Sequence, residues 1–237
     1  MLGQATWWPR VAAGLDQCDA PGFMSSIATL LLALLVAGSP GAPRKVRNMP
    51  DGWTWPPSAA MKDVGARCLA TLDAAEVGHR PAAPVRKIAT PIEIPAMNIG
   101  GVGLVPLRGK GPFAMDCHLA AAIADVAPEL RALGVRSLNF RTMHEYRTVR
   151  KRGKSMRFLS RHAVGLAVDV FEVGFDDGVV LQVKSDWSAA DQRLVMVAAV
   201  FAGAATFRTP LTPTNDPRDH GDHVHLEAHM HLAAPSR

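Results

Sequence analysis

His162 and Asp169 stand close together in the chain on either side of Gly165, and His223-Val224-His225 follows far downstream. A fold that brings these pieces together has two imidazoles and a carboxylate to offer one divalent ion. It also has a further His and an Asp beside them for proton transfer. Three protein ligands with one open position make a catalytic zinc site, whereas a structural site closes with four. Any architecture for this chain must therefore place a loop and two separate strands around one point.

The local pattern allows it. Residues 166–173 (Leu-Ala-Val-Asp-Val-Phe-Glu-Val) are β-branched and apolar and read as a strand. Side chains alternate along a strand, so Ala167, Asp169 and Phe171 share one face, and Val168, Val170 and Val173 tend to the other. Gly165 lets the chain turn just ahead of that strand and carry His162 back beside Asp169. Val224-His225-Leu226 reads as a second strand, with His223 and His225 on one face. One of the pair then holds metal while the other stands over a substrate. Taken singly, a His-x-His or an Asp in an apolar strand is commonplace. With His220, His229 and His231 nearby, a loose, solvated His-rich tail is the competing reading.

The pattern Ser160-x-His162-x-x-Gly165-x-Ala167-x-Asp169, followed by His223-x-His225, resembles the signature of zinc D-Ala-D-Ala metallopeptidases and lysostaphin-type enzymes, whose fold the hedgehog signalling domain shares. More closely, the chain resembles the bacterial extensin-like C-terminal domain family. That likeness runs from Cys68 through Pro112-Phe113-Ala114-Met115-Asp116-Cys117, the 160–169 motif, Asp186-Trp187 and the stretch 219–227. The resemblance implies His162, Asp169 and His225 as ligands of Zn²⁺, with His223 as the second active-site histidine. It implies Asp222, three residues before the last ligand, as an acidic general base. It also implies Arg147 as a contact to substrate, with Arg141 in reserve. The basic stretch 147–157 reads equally as a solvated loop. The function implied is a zinc peptidase hydrolysing peptidoglycan peptide bonds, as a carboxypeptidase or endopeptidase. The alternative is a non-catalytic zinc-containing wall-binding or scaffold module.

Composition sets the frame. At 237 residues the chain is long enough for one well-formed core and an appendage. Residues 27–37 are apolar, too short to span a bilayer comfortably but suited to the apolar core of a signal peptide. Residues 1–42 are therefore expected to be a leader, with Met24 as an alternative start. Residues 43–57, rich in Pro and Gly, read as a linker, and 58–237 as the functional domain. The expectation is an exported periplasmic or cell-envelope protein without a stable membrane span. Removing the leader leaves Cys68 and Cys117, which an oxidising compartment is free to join and a reducing one keeps as thiols. The net charge of +5 suits an anionic polymer such as cell wall, and equally nucleic acid or an acidic membrane surface. Neither basic cluster, at 147–157 or around 44–47, is interleaved with aromatics, which argues against a platform for single-stranded nucleic acid.

Helices are expected over 58–76, where Ser58 is the N-cap and Met61, Val64, Cys68 and Leu72 recur at helical spacing. A second is expected over 113–133, kinked or broken near Pro128, with Cys117 turned to the same core as Cys68. A third runs to about residue 202, opened by a Ser188/Asp191 capping box, with Leu194, Ala198 and Phe201 as its buried stripe. Residues 78–112 should be extended, 135–142 a strand, and 179–183 the return of a hairpin around Asp177-Gly178. Strands and helices do not alternate regularly. The fold class expected is α+β, a small antiparallel sheet carrying the zinc site and flanked by helices.

Overall fold

The computed structural model describes residues 46–231. The expected leader and the first residues of the linker lie outside that range. Ser58 caps helix α1 (Ala59–Ala74) by accepting the Met61 N–H, and Met61, Val64, Cys68 and Leu72 form its buried stripe. Short strands β1 (Arg80–Pro81), β2 (Pro91–Glu93), β3 (Asn98–Ile99) and β4 (Val102–Pro106) occupy the Pro- and Gly-rich stretch. Strand β5 (Met115–Asp116) then joins β1 and β2 in a three-stranded sheet.

Helix α2 (Cys117–Ala132) starts later than the apolar pattern predicts, because Asp116 is its N-cap and accepts the His118 N–H. It runs through Pro128 unbroken. The proline removes one helical hydrogen bond, but the buried face of Ile123, Val126, Ala127 and Leu130 holds the helix against the core. Cys117, at the first turn, is disulfide-bonded to Cys68 across a Cα–Cα distance of 6.1 Å.

The remaining elements build and cover the main sheet. They are β6 (Val135–Thr142), the hairpin β7 (Thr148–Lys151) and β8 (Lys154–Leu159), a 3-10 turn (Arg161–Val164), β9 (Ala167–Phe175), β10 (Val180–Gln182), the short α3 (Val183–Asp186), α4 (Arg193–Gly203) and β11 (Val224–Glu227). The sheet order is β10-β9-β6-β4-β3, with β11 also paired to β9. β10 and β11 lie end to end along one edge of β9, against its C-terminal and N-terminal halves. The architecture is mixed α+β, as expected, but the main sheet is not purely antiparallel: β4 and β6 run parallel. α2 crosses from the disulfide to the sheet and returns the chain to β6, and that crossover makes the parallel pair possible.

Two further expectations change. The Ser188/Asp191 capping box does not form. Asp191 Oδ1 instead accepts the Arg193 N–H at 3.0 Å and its carboxylate holds the Arg193 guanidinium, which fixes the helix start at Arg193. The stripe Leu194, Ala198 and Phe201 is buried as expected. The described part of the 43–57 stretch is packed into the fold, with Met49 and Trp53 buried and the Asn48 carbonyl accepting from Arg161. Among the described residues no helix is long and apolar enough to cross a membrane.

Strand β9 carries the device that matters for the site. Phe140 pairs with Val170 and Asn139 with Glu172, so Phe171 is an extra residue opposite β6. Such a bulge resets the alternation of side chains. Val168, Val170 and Val173 consequently all join the core, while Asp169 and Phe171 both reach His223.

Candidate metal centre

In the β9–β11 ladder, His225 lies directly opposite Asp169, and on the other side of β9 Asp169 pairs with Thr142 of β6. The carboxylate therefore sits on an interior strand with its backbone held from both edges. His162 arrives from the 3-10 turn, whose start is capped by Ser160 Oγ accepting the His162 N–H. Gly165 ends that turn at φ 69°, the left-handed region that glycine adopts freely. The position has no room for a side chain either. A Cβ there would lie 2.7 Å from the Asp116 nitrogen and 2.9 Å from Ile88 Cδ1.

Three atoms converge as a result. His162 Nε2 lies 3.1 Å from Asp169 Oδ1 and 3.2 Å from His225 Nδ1, and His225 Nδ1 lies 2.7 Å from Asp169 Oδ1. A tetrahedral ion with bonds of about 2.05 Å would hold such atoms roughly 3.3 Å apart. The triangle is within a few tenths of an ångström of that on two sides and must widen modestly on the third. All three residues are buried and can hold a metal ion. Two imidazoles and a carboxylate suit a borderline divalent metal.

The surroundings extend this arrangement outward. His225 Nε2 lies 3.1 Å from Glu227 Oε1, and Glu227 in turn is paired with Arg208. A carboxylate behind a ligating imidazole fixes its orientation and raises its basicity. Buried His162 Nδ1 has no hydrogen-bond partner. Burial pushes the Asp169 carboxyl up, but the His162 charge and the hydrogen bonds with His162 and His225 outweigh it and hold the group well below its ordinary value. Burial likewise opposes a charge on His225, and its bonds to Asp169 and Glu227 prevail, raising it to about 9. With two ionised carboxylates around it, this ring favours a positive charge at its side.

The other expected residues fall around the rim. His223 Nε2 lies 3.6 Å from Asp169 Oδ1, and its ring stacks on Phe171 with centroids 4.9 Å apart. Asp222 is nearly half exposed and reaches the cluster only through His223, whose Nδ1 lies 2.8 Å from Asp222 Oδ1. Arg147 pairs with Glu145 at 2.9 Å and extends to 3.9 Å from Asp169 Oδ2. Arg141 sits over the outer face of Phe171 instead, 3.8 Å from the ring centroid, and does not line the groove. That groove, about 640 Å³, opens from Asp169, His223 and His225 towards Arg147, Arg150 and Phe158 of the hairpin.

Sequence reasoning gave no role to three residues that build the site. Glu227 is two positions beyond His225 on the same strand, so alternation alone places it on the face of His225. His220 lines the groove, its Nδ1 3.1 Å from Asp216 Oδ2 and its ring 4.9 Å from that of His223; the Asp216–His220 spacing was the available signal. Asp116, fully buried, donates its N–H to the Gly165 carbonyl and accepts the Thr90 N–H, which ties the His162 turn to the start of α2.

Gly165→Ala is expected to dislodge this turn. Gly178 is also left-handed at φ 83° but has open space around it, so Gly178→Ala costs only the backbone term, about 1 kcal/mol. Gly165→Ala adds a steric overlap with backbone and should lower thermal stability by clearly more, together with metal retention. Equal melting temperatures for the two variants would contradict the packing described.

A sequence model of the family described as Extensin-like protein C-terminus matches residues 66–235. Among curated proteins none matches, and no solved structure matches.

Proposed function

The chain belongs to the extensin-like protein C-terminus family, and we propose that it is a zinc-dependent peptidase that hydrolyses peptide bonds of peptidoglycan, as a carboxypeptidase or an endopeptidase. One observation carries the reading: a buried His162, Asp169 and His225 triangle opens on a groove with an Asp-oriented histidine at its rim. A purely structural ion needs neither the groove nor that histidine. Export to the cell envelope is part of the proposal, and the Cys68–Cys117 disulfide supports it.

His162, Asp169 and His225 would hold the ion, and Glu227 would keep the His225 ring in its ligating orientation. Zn²⁺ held there would supply Lewis acidity towards a carbonyl and would lower the pKa of water at the site. His223, with Nδ1–H directed at Asp222, leaves Nε2 free to accept a proton on the groove side and return it to the leaving amine. Asp222 then acts by fixing the tautomer of His223. Arg147 stands where its guanidinium can exchange Glu145 for a substrate carboxylate.

The test is zinc content measured alongside digestion of purified murein. Cleaved fragments should appear, vanish on chelation and return with zinc. Stoichiometric metal with no cleaved product would favour the non-catalytic scaffold instead. His223→Ala should keep its metal while turnover falls roughly 10²–10⁴-fold, the usual worth of a general acid–base group. Asp222→Ala should lose less, roughly 10–100-fold, as expected of an orienting partner. Unimpaired rates in both variants would move proton transfer elsewhere.

A further inference from the structure

The β7–β8 hairpin forms one wall of the groove and carries Arg150, Lys151, Arg152, Lys154 and Arg157. Five arginines elsewhere are answered by acids: Arg80 by Glu93, Arg131 by Asp176, Arg147 by Glu145, Arg193 by Asp177 and Asp191, and Arg208 by Glu227. Others, such as Arg67 and Arg136, stand singly; the hairpin differs in gathering its cations within residues 150–157. No side chain of the five hairpin cations is within ion-pair distance of a carboxylate among the described residues. All five are exposed. Arg47 adds a sixth charge, its guanidinium lying 4.4 Å from the Phe158 ring centroid.

The nearby acids are already engaged. Asp216 meets His220, Glu145 meets Arg147, and Asp222 meets His223. Asp219 is the acid that touches the hairpin tip, and it accepts the backbone N–H of Arg152 at 3.0 and 3.1 Å, leaving the Arg152 side chain unpaired. This anchors the tip to the opposite loop while its cations point outward. The turn itself is revealing. Arg152 and Gly153 both have positive φ, 51° and 75°, and the first of these positions favours Asn or Gly. An arginine is held there against local preference, in a strand pair whose register joins Arg150 to Ser155 and Lys151 to Lys154.

We propose that this hairpin is an anion-docking strap that binds the carboxylates of an acidic peptide lying along the groove away from the metal triangle. The inference rests on the groove being a peptide site and adds the chemistry of the segment remote from the cleaved bond. Three features favour a peptide. Arg150, Gly153 and Phe158 line the same groove as Asp169 and His225, so one extended chain can touch both. The hairpin carries a single aromatic, Phe158, with Arg47 4.4 Å from its ring centroid, and one ring is no platform on which successive bases can stack. None of the exposed large apolar side chains is on the hairpin, so it has nothing to insert into a lipid surface.

The experiment uses the full chain and fluorescein-labelled hexaglutamate, read by anisotropy at low and high salt. Wild type is compared with Arg150→Gln/Lys151→Gln/Lys154→Gln and, as a charge-matched control away from the hairpin, with Lys62→Gln/Arg67→Gln/Lys184→Gln, all three exposed. Three exposed pairs at a few tenths to one kcal/mol each predict roughly a tenfold weaker Kd for the hairpin variant, with little change in the control. Added salt should weaken the wild type more than the hairpin variant. Absence of hexaglutamate binding, or equal affinity in hairpin variant and wild type, overturns the proposal. So does hairpin-dependent binding of a labelled oligothymidylate or of phosphatidylglycerol vesicles without hexaglutamate binding. His225→Ala should still bind the peptide, because the strap does not use the metal. Retained docking with no murein cleavage by the wild type would sink the peptidase reading and leave the strap standing.

Discussion

Protein carrying His162→Ala, Asp169→Asn or His225→Ala is expected to emerge from dialysis with far less than one metal per chain and no measurable cleavage of murein. Each of the three atoms is within 3.2 Å of the other two, so each removes a ligand directly and no neighbour stands ready to replace it. Glu227 is behind His225, and His223 is one step outside the triangle. Metal-derived charge stabilisation is worth several kcal/mol, so chains that lose the ion should turn over at least ~100-fold more slowly. Asp169→Asn is the sharpest of the set, because it keeps shape and hydrogen bonding while removing the charge. Metal analysis with a thermal melt decides the matter: folded protein with full occupancy in all three variants would refute the ligand set.

Much of this centre was legible from the chain. Alternation in the 166–173 strand put Asp169 on the opposite face from Val168 and Val170, and Gly165 announced the turn that returns His162. What could not be read was anything set by pairing partners. The bulge at Phe171 exists only because β6 lies alongside, and it is what lets Val173 join Val168 and Val170 on the core face. The parallel contact of β4 with β6 likewise depends on where α2 crosses. The start of α2 was misjudged because the Phe113 side of the pattern is apolar, yet the capping carboxylate of Asp116 decides where helical hydrogen bonding begins. At α4 the local cap lost to a charged competitor, since the Arg193 guanidinium holds Asp191. Residues 48–53 read as linker by composition, but Met49 and Trp53 have apolar surface to bury and the fold supplies the place.

Removing the Cys68–Cys117 bond should have the second large effect. It closes a segment with a sequence separation of 49, for which the chain-entropy model gives about 4 kcal/mol. With a urea m-value of roughly 2–3 kcal/mol/M for a domain of this size, the midpoint should drop by roughly 1.5 M in Cys68→Ala/Cys117→Ala or on reduction. The influence should reach the metal triangle as well. Cys117 follows Asp116, whose N–H is bound to the Gly165 carbonyl at the end of the His162 turn. Loss of the bond is therefore expected to weaken metal retention before the protein unfolds, seen as faster transfer of the ion to a chelator. An unchanged urea midpoint would show that the α1–α2 packing alone secures this corner.

Because Asp169 belongs to a strand hydrogen-bonded on both edges, breathing of the polypeptide is a poor escape route for a bound ion. The amides flanking that carboxylate can exchange only when the middle of the sheet opens, and such openings approach the cost of global unfolding. Traffic of ions and chelators must instead pass through the mouth between the hairpin and the Asp219 loop. If an ion is bound, its lifetime should depend on how that doorway is occupied, and a long peptide lying across it would act as a stopper.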